Sequence, residues 1–325
     1  MNRFRAIAGI GIAGACVWWV LKGVEWSLFW SVVRHARWPW VAVAIGSFFL
    51  SLMVRSIRWH TIFRWIAPDA RPIDTLRPLY VGYLFNNVLP GKLGEVAKLV
   101  LITRFTGVSA VKSTVAIAMD RVVDGIGLAI VMGVALLISG LHNRLLIGVF
   151  LVGTVVFVGV ATAMWLLARN RLLFSVLGRL GQRFNFLKGI SALEAGRSDL
   201  LALHTFPRLL WILVLSVVNW TTEGGVFWAV QHAFSVPGSG AIGILTMGVV
   251  SFGGVILSTP GGVGAHEYLS TIALRAMGVS ASPALAIGIM THLILWVPAA
   301  LLGLGSIITI GWSSVTQTLK STSEI

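Results

Sequence analysis

Charged residues are scarce in this sequence, and acidic ones are the scarcest. Asp, Glu, Lys and Arg together make up 11% of the 325 residues, whereas about a quarter is usual in a soluble domain. The single cysteine, Cys16, excludes an internal disulfide framework and clusters of metal-binding thiolates. The composition therefore excludes an ordinary soluble globule.

Familiar catalytic signatures are also missing. The sequence contains no P-loop, no GxSxG motif and no dinucleotide-binding fingerprint. Glu223, His266, Glu267 and His292 are residue types that bind metals, but no HExxH or similar spacing joins them. We therefore expect neither a metal nor another cofactor.

Hydrophobic residues dominate what is present. They account for 57% of the chain, the mean hydropathy is +0.89, and several apolar runs approach the roughly 20 residues that cross a bilayer. These observations predict an all-α polytopic membrane protein, with residues 1–325 forming a single transmembrane domain.

Basic residues predict the orientation of the spans, because Lys and Arg collect on the cytoplasmic side of a membrane. The net charge of +14 is thus assigned to membrane topology and not to nucleic acid. About six full spans are predicted, with both termini in the cytoplasm. Their ranges are 6–21, 39–53, 111–138, 145–168, 209–232 and 284–310. Arg55 and Arg58 are placed in the cytoplasmic segment that follows the second span.

Two similar Pro-Gly stretches interrupt the apolar pattern. The first contains Pro90, Gly91, Gly94 and Glu95, and the second, at 260–267, contains Pro260, Gly261, Gly264 and Glu267. Proline removes an amide donor and glycine lets the backbone turn, so a helix is expected to stop and restart at each. We interpret residues 79–104 and 242–277 as re-entrant hairpins, since broken helices of this kind mark transporter sites.

The predicted topology gives the two hairpins opposite orientations. Repeat A (39–138) and repeat B (209–310) each contain a span, a hairpin and a span, and the connector span 145–168 reverses their direction. This is an inverted-topology repeat. The basic segment 169–208 between connector and repeat B is either an amphipathic cytoplasmic helix on the inner leaflet or a loop helix packed on the bundle.

Charges inside predicted spans require a reason, because each costs at least about 2.5 kcal/mol near the bilayer centre. Asp120 and Asp124 share one helix face, and Arg121 can pair with Asp124. The trio is either a structural ion-pair cluster or a site where Arg121 faces a lipid phosphate and an aspartate carries a proton. Glu223 and His292 lie in the middle of spans and suit the bundle interior.

The residues after each break suggest an anion site. Glu95 and Lys98 lie one helical turn apart, and amides exposed at the start of a new helix attract anions. Glu95 is alternatively only a helix cap. His266 titrates near neutral pH and adjoins Glu267.

We therefore predict two overlapping sets of site residues, with the two hairpin tips close together. The substrate-binding set is Asn87, Pro90, Gly91, Gly94, Glu95, Lys98, Arg121, Pro260, Gly261, Gly262, Gly264 and Glu267. The proton-coupling candidates are Glu95, Asp120, Asp124, Glu223, His266 and Glu267. No catalytic residue is assigned.

Three motifs resemble a known family. The residues are those at 87–98 (NVLPGKLGEVAK), 120–124 (DRVVD) and 260–267 (PGGVGAHE). They resemble the transmembrane region of lysylphosphatidylglycerol synthases and the flippase-like membrane proteins related to it, over nearly the whole chain. That family usually has Arg at the position of Lys98 and often Glu at that of Asp120.

The resemblance implies an inner-membrane protein that moves or handles anionic lipids. Together with the broken segments and the buried charges, it predicts a bacterial inner-membrane flippase or transporter of an anionic phospholipid or polyprenyl-phosphate-type lipid, with the acidic candidates above as the groups that would couple transport to protons. The aminoacyl-lipid synthase domain has no counterpart in this sequence, so we expect a transporter more than an enzyme. Two alternatives remain: an intramembrane lipid head-group transferase, and a non-catalytic scaffold of a lipid-synthesis complex. The expected partners are membrane lipid, the bilayer and lipid-biosynthesis enzymes.

Overall fold

The chain is all-helical over the residues that the computed structural model describes: 26–88, 94–169, 205–236, 238–257 and 259–311. The first predicted span, 6–21, lies outside these ranges, as does most of the basic segment 169–208. The helices in chain order are α1 (Trp26–Arg34), α2 (Trp38–Arg64), α3 (Pro72–Val88), α4 (Gly94–Thr106), α5 (Ala110–Ser139), α6 (Arg144–Arg169), α7 (Phe206–Ala233), α8 (Gly240–Ile256), α9 (Ala265–Ala276) and α10 (Ala281–Ile310).

Five of the described helices, α2, α5, α6, α7 and α10, are long and apolar enough to cross a membrane. This confirms an all-α membrane-spanning protein. The α6 helix carries its apolar side chains largely on the outside, as in Val155, which is 70% exposed. Such a surface is stable facing hydrocarbon, where the bilayer supplies the contacts that a soluble core would otherwise provide.

Helices α3, α4, α8 and α9 are shorter. The α4 helix has 13 residues and α9 has 12, so each extends about 20 Å at 1.5 Å per residue. A hydrocarbon core is about 30 Å thick. The α3 helix packs against α4, and α8 packs against α9. The sequence thus folds into two pairs of short helices at the positions of the two Pro-Gly stretches.

The order of long and short helices repeats along the chain. The sequence α2, α3, α4, α5 is long, short, short, long, and α7, α8, α9, α10 follow the same order, with α6 between the two sets. The halves interlock, since α2 packs on α7, α3 on α10 and α5 on α8. Each short pair is therefore held against a long helix of the other half.

Small residues allow the central helices to approach closely. A Cβ atom on Gly127 of α5 would lie 2.3 Å from the Ser216 hydroxyl of α7, and one on Gly224 would lie 2.6 Å from the Ile244 side chain. Helices in membranes associate through such close packing because hydrocarbon gives no hydrophobic drive between them.

Arg58 lies deeper in the bundle than its predicted place in a cytoplasmic segment. The α2 helix continues to Arg64, so the prediction that this span ends near residue 53 is wrong. The Arg58 side chain is fully buried. Its Nε donates to Asp120 Oδ1 at 3.0 Å, and its Nη1 donates to Asp124 Oδ1 at 2.6 Å. Hydropathy places a span end before Arg58 because it counts the positive charge alone. It does not register that carboxylates from a distant part of the chain neutralise that charge.

Asp120 and Asp124 consequently pair across helices, with Arg58, and the predicted pairing of Asp124 with Arg121 does not form. The Ser216 hydroxyl also accepts from Arg58 Nη1 at 3.0 Å. The indole of Trp220 donates to the Asp124 carbonyl oxygen at 2.7 Å. The cluster therefore joins α2, α5 and α7, as the structural interpretation of these aspartates anticipated.

Replacing Arg58 is expected to destabilise the bundle. The Arg58→Met change leaves two buried carboxylates without a counter-charge, and breaking a buried ion pair in this way costs about 3–5 kcal/mol. Thermal unfolding in detergent would show a large fall in melting temperature. Arg64→Met, at an exposed position on the same helix, is the matched control and should change little.

Adding Asp120→Asn and Asp124→Asn to Arg58→Met removes the uncompensated charges and should restore part of the lost stability. A triple variant that is less stable than Arg58→Met alone would contradict the assignment of these ion pairs as the cause.

Candidate functional site

A cavity of about 570 Å³ lies where the two short-helix pairs meet. Both Pro-Gly stretches contribute to its wall, and two long helices complete it. Its polar lining consists of Asn86, Asn87 and Glu95 from the first pair, Thr259, Gly261, Gly262 and His266 from the second, Arg121 from α5, and His292 and Trp296 from α10.

The end of α3, just before the first break, lies against the second break. The Asn87 amide donates to the Trp296 carbonyl oxygen at 3.3 Å. A Cβ atom on Gly261 would lie 2.5 Å from the Asn87 carbonyl oxygen. Pro90 and Gly91 lie outside the described residues. On the described side of each break, however, the two pairs are in van der Waals contact.

Glycines make the turns of this region possible. Gly261, Gly262 and Gly264 have φ values of 63°, 75° and 78°, in the region that side chains disfavour. Gly94 begins α4 and donates its amide to the Asn86 side-chain oxygen at 2.9 Å. A Cβ atom on Gly94 would lie 2.0 Å from the Gly82 carbonyl oxygen, so only glycine lets α3 and α4 approach this closely.

Glu95 lies between two cations on the first-pair side of the cavity. Its Oε1 accepts from Arg121, whose side chain is 43% exposed, and its Oε2 lies 3.1 Å from Lys98 Nζ. The Asn86 amide donates to it at 3.4 Å. The one-turn spacing of Glu95 and Lys98 therefore produces an ion pair. The partners of the Glu95 carboxylate are the side chains of Lys98, Arg121 and Asn86.

Lys98 is not part of the cavity wall. Its side chain is 1% exposed, and its Nζ lies 4.3 Å from the centre of the Trp59 ring. This position allows a cation–π contact. Lys98 thus stabilises Glu95 from the side away from the cavity. Among the lysines and arginines of the described ranges, Arg121 is the one that lines the cavity.

A histidine and a carboxylate occupy the second-pair side. The His292 Nδ1 atom lies 2.6 Å from Glu267 Oε1, and its Nε2 lies 2.9 Å from the Gly261 carbonyl oxygen. The other Glu267 oxygen accepts from the Gly264 amide at 2.8 Å. His292 therefore joins the second Pro-Gly turn and α9 to α10.

His266 stacks on His292, with ring centres 4.6 Å apart and planes inclined by 14°. Its Nε2 lies 3.1 Å from the Thr291 hydroxyl, which itself donates to the Ile287 carbonyl oxygen at 2.8 Å. A neutral imidazole can make the bond to Thr291 as donor or as acceptor, so His266 needs no additional proton.

Three of the predicted proton-coupling residues lie away from the cavity wall. Asp120 and Asp124 bind Arg58, as described above. Glu223 accepts from Arg55 Nη2 at 2.6 Å and lies 3.2 Å from the Ser51 hydroxyl, in a cluster between α2 and α7. These acids hold long helices together.

The predicted binding residues divide into wall and support. Asn87, Glu95, Arg121, Gly261 and Gly262 line the cavity. The remaining described members do not line it, but each lies beside or bonds to a wall residue: Gly94, Lys98, Pro260, Gly264 and Glu267. Within the described ranges, no three side chains of His, Cys, Asp or Glu converge to hold a metal ion.

Sequence reasoning missed His292 as a site residue. Its position in the middle of an apolar run resembled that of a packed interior histidine. A signal was nevertheless present, because Glu95 and Arg121 are 26 residues apart and Glu267 and His292 are 25 apart. A search for a basic residue about 25 residues after the carboxylate of each Pro-Gly motif would have identified His292.

The Gly261→Ala change should disrupt the contact between the two pairs. The new Cβ would meet the Asn87 backbone, and an alanine at positive φ costs about 1–2 kcal/mol before that collision is counted. Thermal unfolding should show a clear loss. Gly305→Ala on α10, where a Cβ meets nothing within 4 Å, is the control and should be neutral or slightly stabilising. Equal melting temperatures of the two variants would contradict the close approach of Gly261 to Asn87.

Comparison with known proteins agrees with the motifs. The family described as the lysylphosphatidylglycerol synthase TM region matches residues 6–303. The chain is also 21% identical over 323 residues to the UPF0104 membrane protein PH1989 of Pyrococcus horikoshii, covering 92% of this chain and 94% of that protein. The resemblance noted in the sequence is confirmed. The chain belongs to the family of the lysylphosphatidylglycerol synthase transmembrane region.

Proposed function

We propose that this membrane protein transports an anionic lipid across the bilayer, with the lipid head group held in the cavity between the two short-helix pairs. The observation that carries the proposal is the position of Arg121. It is a partly exposed cation on the wall of a cavity to which both Pro-Gly stretches contribute.

In this proposal the two short pairs are re-entrant hairpins that enter from opposite sides of the membrane. Their short helices and the repeated order of elements support this arrangement. Broken helices are tolerated at membrane depth where they line a cavity, and transporters of inverted-repeat design bind their substrates between such helices. Both termini are then cytoplasmic, as the basic residues predict.

An anionic group is the substrate chemistry that suits the first-pair side. A guanidinium presents a planar set of donors that matches a phosphate or carboxylate. Arg121 already binds the Glu95 carboxylate, so a phosphate would enter by exchange with that carboxylate. Lys98 remains beside Glu95 at 3.1 Å and keeps the displaced carboxylate from being left without a counter-charge.

The remainder of the wall favours an amphipathic ligand over a small soluble anion. Apolar side chains line the same cavity, namely Val250 of α8, Leu257 just after it, Leu269 of α9 and Leu295 of α10. The volume of about 570 Å³ falls within the roughly 300–1,000 Å³ of typical ligand sites. A phosphate-bearing head group with the start of its hydrocarbon chains would contact both parts of this wall.

The Arg121→Ala change should lower the rate of transport. Proteoliposomes containing a labelled anionic phospholipid would report translocation by accessibility of the label to a membrane-impermeant quencher. Loss of a charge-assisted hydrogen bond costs about 1.5–3 kcal/mol, so we expect a fall of at least about tenfold. Glu95→Gln removes the carboxylate that exchanges with the phosphate at Arg121 and should also lower the rate.

Arg64→Ala removes the same charge from an exposed position of α2 outside the cavity and should leave transport unchanged. Folding is checked by thermal unfolding of each variant. Transport by correctly folded Arg121→Ala at the wild-type rate would contradict the proposed site.

A further inference from the structure

The two halves of the chain place corresponding ionic pairs on one cavity. Glu95 and Glu267 each lie in the first turn of the second short helix of their pair. Arg121 lies 11 residues after Ala110, the first residue of α5, and His292 lies 11 residues after Ala281, the first residue of α10. Each carboxylate bonds to the basic side chain of its own half. The halves differ in that arginine is permanently charged and histidine is not.

The hydrogen bonds of His292 require an additional proton. Both of its ring nitrogens lie within hydrogen-bond distance of an oxygen: Glu267 Oε1 at 2.6 Å and the Gly261 carbonyl oxygen at 2.9 Å. A carbonyl and a carboxylate only accept, and a neutral imidazole has one N–H to donate. Both bonds therefore exist together only when the His292–Glu267 pair carries one proton more than a neutral imidazole and a carboxylate.

We propose that His292 and Glu267 form a proton-binding site whose occupancy fastens the second Pro-Gly turn to α10. When the proton leaves, the neutral imidazole keeps either Glu267 or Gly261 and releases the other. The proton passes to water in the cavity, which His292 lines. Since Gly261 and Gly262 belong to the same wall, the loss of this bond loosens one side of the cavity.

The surroundings of His292 fit this assignment. Among the described residues, the titratable groups placed against it are Glu267 and His266, both on α9. His266 bonds through Nε2 to the Thr291 hydroxyl, and a neutral imidazole satisfies that bond as donor or as acceptor. The nearest part of α3 contributes the neutral Asn87 amide, and α7 contributes the Phe227 ring stacked on His266 at 5.9 Å. Glu267 is thus the anionic partner of the protonated ring.

The inference deepens the proposed function, and the role of the proton in transport rests on it. Arg121 would bind the anionic group on one side of the cavity, and His292 would bind a proton on the other. The proton-binding site itself is defined by geometry alone, so its test does not need transport.

Hydrogen–deuterium exchange of a peptide covering the second Pro-Gly turn, measured by mass spectrometry, tests the site. Rates are corrected for intrinsic exchange at each pH. In wild-type protein, protection should fall on the order of tenfold as pH rises through the titration of His292, because a hydrogen bond to a charged group is lost. His292→Gln should show low protection that does not vary with pH. Glu267→Gln should move the midpoint to lower pH, since the neutral amide stabilises the imidazolium less.

His232→Gln is the matched control, because His232 contacts a single carbonyl oxygen, that of Trp228 at 3.0 Å. It should retain the wild-type midpoint. Protection that does not change between about pH 5 and about pH 9, or an unshifted midpoint in Glu267→Gln, would overturn the proposal. A pH-dependent turn in a protein that moves no lipid would refute the proposed function and leave this site intact.

Discussion

The buried guanidinium of Arg58 holds the centre of the molecule together. It bonds to Asp120, Asp124 and Ser216 and thereby ties α2 to α5 and α7, which belong to different halves of the chain. Ion pairs of this kind are seldom more stabilising than an apolar core, but they impose one arrangement, because any other leaves buried charges unpaired. The close passage of α5 and α7 at Gly127 brings helices near enough for these bonds to form.

The same packing of α5 places Arg121 at the cavity wall. Asp120 and Asp124 are four residues apart and lie on the face of α5 that meets Arg58, whereas Arg121 lies on another face and reaches Glu95 and the cavity wall. One short motif thus contributes both to the scaffold and to the candidate site. Fixing the rotation of α5 by its aspartates also fixes where the exposed arginine points, and this links the stability of the bundle to the chemistry of the cavity.

The two sides of the cavity are built alike and differ in chemistry. Each has a glycine-rich break, a carboxylate in the helix that follows, and a basic residue on the next long helix. On the first side the base is an arginine with a second cation behind the carboxylate, and on the other it is a histidine bonded to the turn itself. In the functions proposed above, the arginine would bind an anion on one side of this cavity and the histidine would bind a proton on the other.

Composition, periodicity and motifs were sufficient to predict the membrane-spanning helical class, the two broken segments, the family and several of the residues that line the cavity, because apolar length, proline and glycine act locally along the chain. The pairing of charges was not accessible in this way. Hydropathy places the end of a span before Arg58, because its carboxylate partners lie more than sixty residues away. The sequence does not single out His292, because its partners Glu267 and Gly261 meet it only through folding. The sequence by itself determined the apolar helical class of the chain and the two places where Pro-Gly stretches interrupt it. Only the tertiary structure decided which buried charges neutralise one another and which face the cavity, since that depends on the rotation of each helix against distant neighbours.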